Sequence, residues 1–291
     1  MTERAVVLDQ VNELAPQLQN LLVNGDFEIW QRGAGPFTLS EEFAADEWAN
    51  AALSGDTVAT TRVPGKVGEY ALQSAWVASQ TRGVYQGIEA YKSLEGLPLT
   101  FSCWVKTSTA GKVRLSINDY TGTTDPAYSD YHTGSGDWER LTVTKQVRAG
   151  LVYPYTTWEH SFPLRVGVTT AAGTVTFVMD GATLIIGEHP GGVSVIPETP
   201  ASALMKCQRF FQYFPFLNRR LYASTGNMLT TINLPVPMRA APTVTVGSWA
   251  LNNCDVYSLE AGDEKTLHHT VSGTVAGSAY ANATDVKLEV A

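Results

Sequence analysis

Charge is scarce in this chain. Only 16% of its 291 residues are charged, and 20 Lys and Arg against 28 Asp and Glu leave a net charge of −8. A nucleic-acid partner is excluded on that ground, because phosphate backbones demand a basic face, and no Lys/Arg run supplies one. Cysteine is scarce too. Cys103, Cys207 and Cys254 are odd in number and lack CxxC spacing, which argues against a zinc knot or a disulfide framework and for reduced, buried thiols. No long apolar run follows Met1-Thr2-Glu3-Arg4, so neither a secretory signal nor membrane insertion is expected, and assembly in a cytoplasm follows. Catalytic signatures are missing as well: no HExxH, no GxSxG and no phosphate-cradling glycine loop. Acidic pairs such as Asp46/Glu47 and Asp137/Glu139 arise by chance among 28 acids, and adjacent His268 and His269 point apart on a strand. An enzyme is not expected.

Thr, Ser, Gly and Ala fill the space that charge leaves, as short strands joined by tight turns require. Val7, Val11, Leu14, Leu18 and Leu21 form a narrow apolar seam at spacings of four and three. Residues 1–21 therefore read as a docking or oligomerisation segment, or as one helix packed on its own domain; Pro16 interrupts either. Asn24-Gly25 then marks a turn, and Phe27 and Ile29 alternate with Glu28 and Trp30 as in a half-buried strand. Further strand-like segments begin near Tyr70, Gly83, Leu99, Lys112, Trp138, Phe162 and Val175. Within the fourth, Val113, Leu115 and Ile117 face a core and leave Arg114, Ser116 and Asn118 on the other face. The fold class is all-β: a jelly-roll sandwich over 22–190, a Gly/Pro-rich linker over 191–202 and a smaller β domain over 203–291.

Two stretches break the strand rhythm, and long loops on a rigid sandwich commonly carry binding residues. One holds Tyr120, Tyr128, Tyr131 and His132; the other holds Tyr153, Tyr155 and Trp158. Sugars present flat apolar faces edged by hydroxyls, so aromatics beside Arg114, Asn118 and Asp119 make a candidate carbohydrate platform. The same tyrosines could equally pin the loops or fill a subunit interface. Trp30, Trp48 and Trp104 read as core.

The run from Leu22 to Gly33 with Ala45-Asp46-Glu47-Trp48, then Ser102-Cys103-Trp104-Val105-Lys106, Trp138-Glu139 and Phe177-Val178-Met179-Asp180, resembles a module of bacteriophage tail-fibre and virion proteins that is similar to carbohydrate-binding jelly rolls. The stretches 204–212 and 237–245 resemble the boundary and distal β domain that follow it. The resemblance implies a structural calcium held by Asp26, Glu28 and Asp180, with Gly181 where the family has a second acid; the alternative is that Asp26 caps a turn and Asp180 ends a strand. It also implies a virion receptor-binding subunit, a homotrimer attached to other virion proteins through residues 1–21, that adheres to host surface glycan. A capsid decoration or head-fibre protein is the second reading, and a glycan depolymerase the third.

Overall fold

The computed structural model describes residues 19–40, 42–152, 162–192, 198–221, 226–252, 254–273 and 279–290. Val7, Val11, Leu14 and Leu18 of the apolar seam and the aromatics Tyr153, Tyr155 and Trp158 lie outside the described residues, whereas Leu21, the last of the seam, donates its N–H to the Leu184 carbonyl at 2.9 Å. The chain divides into two units, Met1–Pro200 and Ala201–Ala291.

The first unit is a sandwich of two antiparallel five-stranded sheets. Sheet I orders β2 (Thr57–Pro64), β3 (Tyr70–Ala78), β10 (Gly173–Ile186), β5 (Pro98–Lys106) and β8 (Trp138–Gln146). Sheet II orders β1 (Ala49–Ala51), β4 (Arg82–Gly87), β9 (Leu164–Thr170), β6 (Val113–Tyr120) and β7 (Thr124–Tyr128). Successive strands cross repeatedly between the sheets, which is the winding of a jelly roll. Period-two alternation puts Leu99, Phe101, Cys103 and Val105 of β5 against Val113, Leu115 and Ile117 of β6, all fully buried. Burial pushes the Cys103 thiol far above its ordinary pKa, as befits an inert core cysteine.

Among the described residues, the expected strand over 27–30 is not formed. Residues 22–33 form turns, with Asn24 and Phe27 at φ 53° and 58°, conformations that a continuous strand forbids. What decides is tertiary: Phe27 is fully buried and packs 5.1 Å from the Trp48 ring. The Asn24 amide donates to the carbonyls of Ile29 and Asp46 at 2.9 and 3.1 Å, satisfying backbone groups that a strand partner would otherwise take. Trp30 and Trp48 are core, as read from the sequence; Trp104 instead sits half-buried on the outer face of sheet I.

β10 carries a bulge between Asp180 and Thr183, with Gly181 at φ 57°. The bulge turns Ala182 out of its ladder, so its N–H donates to the Gly25 carbonyl at 2.7 Å. A Cβ at Gly25 would collide with the Ala182 carbonyl oxygen, hence glycine there.

The second unit takes all of α1 (Pro200–Gln208) except its first residue, a proline at the first helical position. It continues through β11 (Phe211–Leu221), β12 (Gly226–Asn233), β13 (Thr243–Thr245), β14 (Ser248–Asn252), β15 (Cys254–Ala261), β16 (Thr266–Gly273) and β17 (Ala279–Glu289). One sheet gathers β11, β13 and β14 around β17; another orders β12, β16 and β15. Leu234, Met238, Leu259, Leu267, Val286 and Leu288 form its core. No described helix is long and apolar enough to cross a membrane.

Candidate functional site

Because Val84, Val166, Val168, Leu115 and Ile117 face inward, alternation turns Tyr85, Gly167, Ser116 and Tyr128 to the outer face of sheet II. The strand register lines these four up as one row across β4, β9, β6 and β7. Gly87, Arg165 and Asn118 form the row on one side; Gly83, Thr169 and Arg114 form the row on the other.

Glycines set the height of this face. A Cβ at Gly167 would lie 2.7 Å from Tyr85 Cδ1, and one at Gly83 would lie 3.1 Å from Tyr85 Cε2. The Tyr85 ring therefore lies down across two side-chain-free positions instead of standing off the sheet. Phe162 likewise covers Gly87. The Arg165 guanidinium sits 4.9 Å from the Tyr85 centroid, while Arg114 sits 3.4 Å from Tyr128 and 4.6 Å from Tyr131. Each cation is drawn by the negative face of its ring. Tyr128 and Tyr131 are 39% and 41% exposed, so their rings are offered to solvent. Beneath them, Asn118 donates to the Ser116 hydroxyl at 3.0 Å and Thr169 to the Arg114 carbonyl at 3.3 Å. Burial raises the Tyr85 phenol above its ordinary pKa, with Arg165 opposing, so it stays a neutral donor.

Of the residues singled out in the sequence, Arg114, Asn118, Tyr128 and Tyr131 meet on this face, and Tyr120 lies at its end where β6 turns into β7. Asp119 does not join them. It is buried on the opposite parity, where Arg148 binds it at 2.8 Å and Lys145 lies 3.5 Å away. Nor does His132. Its ring is fully buried, Nδ1 accepts the Gly134 N–H at 2.9 Å, and Nε2 faces the Val105 and Asp137 carbonyls, the set that suits a neutral Nε2–H tautomer. Tyr85, Arg165 and Thr169 were not singled out; alternation within β4 and β9 gives their facing, but only cross-strand register gives their company with Ser116.

Asp26, Glu28 and Asp180 converge on the loop before β3. Asp180 accepts the Lys66 and Val67 N–H groups on Oδ2 at 2.6 and 2.7 Å and the Gly181 N–H on Oδ1 at 2.6 Å. Glu28 Oε1 accepts the Glu69 and Tyr70 N–H groups at 2.6 and 3.3 Å. Burial raises all three carboxyls above their ordinary pKa, and the charge of Asp26 adds to the rise at both Glu28 and Asp180. This donor set does not fit the expected calcium ion. Calcium wants six to eight oxygens pointing at it, whereas amide hydrogens occupy the oxygens of Asp180 and Oε1 of Glu28. Among the described residues no three His, Cys, Asp or Glu side chains gather to hold a metal.

The outer face of sheet I offers a second aromatic surface, Trp104, with Lys66 at 4.5 Å and Arg140 at 5.8 Å.

No family model and no curated protein matches the chain. Among solved structures, the C-terminal family 22 carbohydrate-binding module of Clostridium thermocellum Xyn10B is similar at 16% identity and TM-score 0.38, over 54% of this chain and 95% of that one. The N-terminal modules of the same xylanase, solved with xylohexaose, are similar at 18% identity and TM-score 0.37, over 53% of this chain but only 28% of theirs. TmCBM61, solved with β-1,4-galactotriose, is similar at 18% identity and TM-score 0.35, over 58% and 99%. At such identities and TM-scores these likenesses do not say what this chain does.

Proposed function

We propose that the first unit is an adhesive module that lays a glycan strand across the outer face of sheet II. The observation that carries this reading is the row Tyr85–Gly167–Ser116–Tyr128, in which a ring lies flat on glycines beside edge-exposed tyrosines. A pyranose lays its apolar face along these rings and the guanidiniums stacked on Tyr85 and Tyr128, and its hydroxyls meet arginine and asparagine donors at the margin. The function is adhesion, with no reaction step. The sequence resemblance to tail-fibre modules supports a setting for it: a receptor-binding virion subunit, trimeric and attached through residues 1–21, whose weak sites add through avidity. On this reading the carboxylate clasp works without calcium. Affinity electrophoresis of the full chain through a polysaccharide panel tests the proposal. Retardation by at least one polymer, lost in Tyr85→Ala and Tyr128→Ala, is the expected result; equal mobility of all three proteins in every gel would sink it.

A further inference from the structure

We infer that the glycan recognised on sheet II is acidic, a polymer bearing carboxylates along its length. The inference rests on the glycan reading above and specifies its substrate class.

The chain carries a net charge of −8, yet the binding face is edged by guanidinium groups. Several basic side chains of the first unit are spoken for: Arg32 pairs with Asp46, Arg82 with Asp56, and Arg148 and Lys145 with Asp119. Arg114 and Arg165 differ. Among the described residues neither is ion-paired to a carboxylate, and each rests on tyrosine rings instead. The nearest acids of β6 and β7 are turned away, because Asp119 and Asp125 are both bound to Lys145.

Stacking occupies the face of a guanidinium and leaves its in-plane N–H fork free. That fork matches a carboxylate in bidentate geometry. The rings beneath hold the cations in place, so little side-chain freedom is lost when an anion arrives. Tyr85 and Tyr128 stand three strand spacings apart, roughly 14 Å, and the two guanidiniums lean on opposite ends of that row. A ligand stacked along the row meets a cation at each end. A neutral glycan would satisfy the rings and leave both forks to water; an acidic one satisfies both.

The test uses the full chain in affinity electrophoresis against polygalacturonate, alginate and hyaluronate, each beside its own carboxyl-reduced form, with neutral β-glucan, xylan and galactan as further arms. The expected result is at least tenfold tighter retention by one acidic polymer than by its reduced form. That preference should shrink below about twofold in the double variant Arg114→Gln/Arg165→Gln, and in wild type as NaCl rises from low to high ionic strength. The salt series keeps the test decisive if the variant misfolds. Equal retention by acidic and reduced forms, or retention by neutral polymers alone, would overturn the acidic assignment and leave the glycan reading standing. Retention by none of the polymers would overturn both.

Discussion

Substituting Gly167 by alanine probes the foundation of the binding face. The new Cβ would sit 2.7 Å from Tyr85 Cδ1 and 2.9 Å from Tyr85 Cα, and closer still to the Val84 carbonyl oxygen. Two of these are backbone atoms of the neighbouring strand, so a rotamer change in Tyr85 cannot relieve the overlap. β4 and β9 must separate locally, or the ring must lift. Overpacking of this kind costs about 2 kcal/mol, which in a unit of this size lowers Tm by about 4–8 °C. Gly191→Ala is the control, because nothing lies within 4 Å of its Cβ position, and a shift within about 0.5 kcal/mol is expected. Circular-dichroism melts and urea titrations of the two variants measure the difference. The same substitution should weaken glycan retention at temperatures where the protein is folded, since the platform is displaced. A Gly167→Ala protein that melts with wild type would refute the packing of Tyr85 on this glycine.

Asp180→Asn leaves one of three buried amide donors facing an NH2 group and should destabilise the first unit by about 2 kcal/mol in urea titration; chelation with EGTA, by contrast, should leave wild-type Tm unchanged, and a calcium-dependent gain of several degrees would contradict the metal-free clasp. Asp119→Ala strips the buried partner from Lys145 and Arg148 and should cost about 3 kcal/mol while leaving glycan retention intact below its melt; lost retention in folded protein would put Asp119 in the site. Stability should also depend on pH in both directions. The raised carboxyls of Asp26, Glu28 and Asp180 stabilise the fold fully below their unfolded pKa, and that contribution is lost as pH rises through their folded values. Asp56, held low by the Leu53 amide and Arg82, and Asp125, held low by Lys145, act oppositely: theirs is present above the unfolded pKa and lost as pH falls. A Tm maximum on the acid side of neutral is expected, and a steady rise to pH 8 would be the wrong outcome.

Strand facing was legible in the sequence wherever alternation was clean. Val113, Leu115 and Ile117 are buried and Arg114, Ser116 and Asn118 share the other face, as period two requires. The entry segment was not legible, because the positive φ of Phe27 is imposed by the burial of its ring against Trp48, a partner outside any local pattern. β7 was hidden for a related reason: Thr124–Tyr128 lacks apolar alternation and pairs only because β6 presents it an edge. Within the site, the tyrosines after β6 announced themselves by density, whereas Tyr85 is a lone aromatic in a glycine-bounded strand. Its importance comes from Gly167 on β9, eighty-two residues away in the chain and directly opposite in the sheet. Asp119 misled because one residue of register separates a rim position from a buried ion pair.

The proposed glycan face on sheet II, at Tyr85, has an alternative in the Trp104 surface of sheet I, so the most direct measurement is a calorimetric titration of Tyr85→Ala and Trp104→Ala with one polysaccharide that wild type retains. Loss of a stacking platform costs about 2 kcal/mol, roughly thirtyfold in Kd, and the expected result is that loss in Tyr85→Ala with Trp104→Ala within about twofold of wild type. The reverse ranking would place the ligand on the other sheet and contradict the assignment of the binding face.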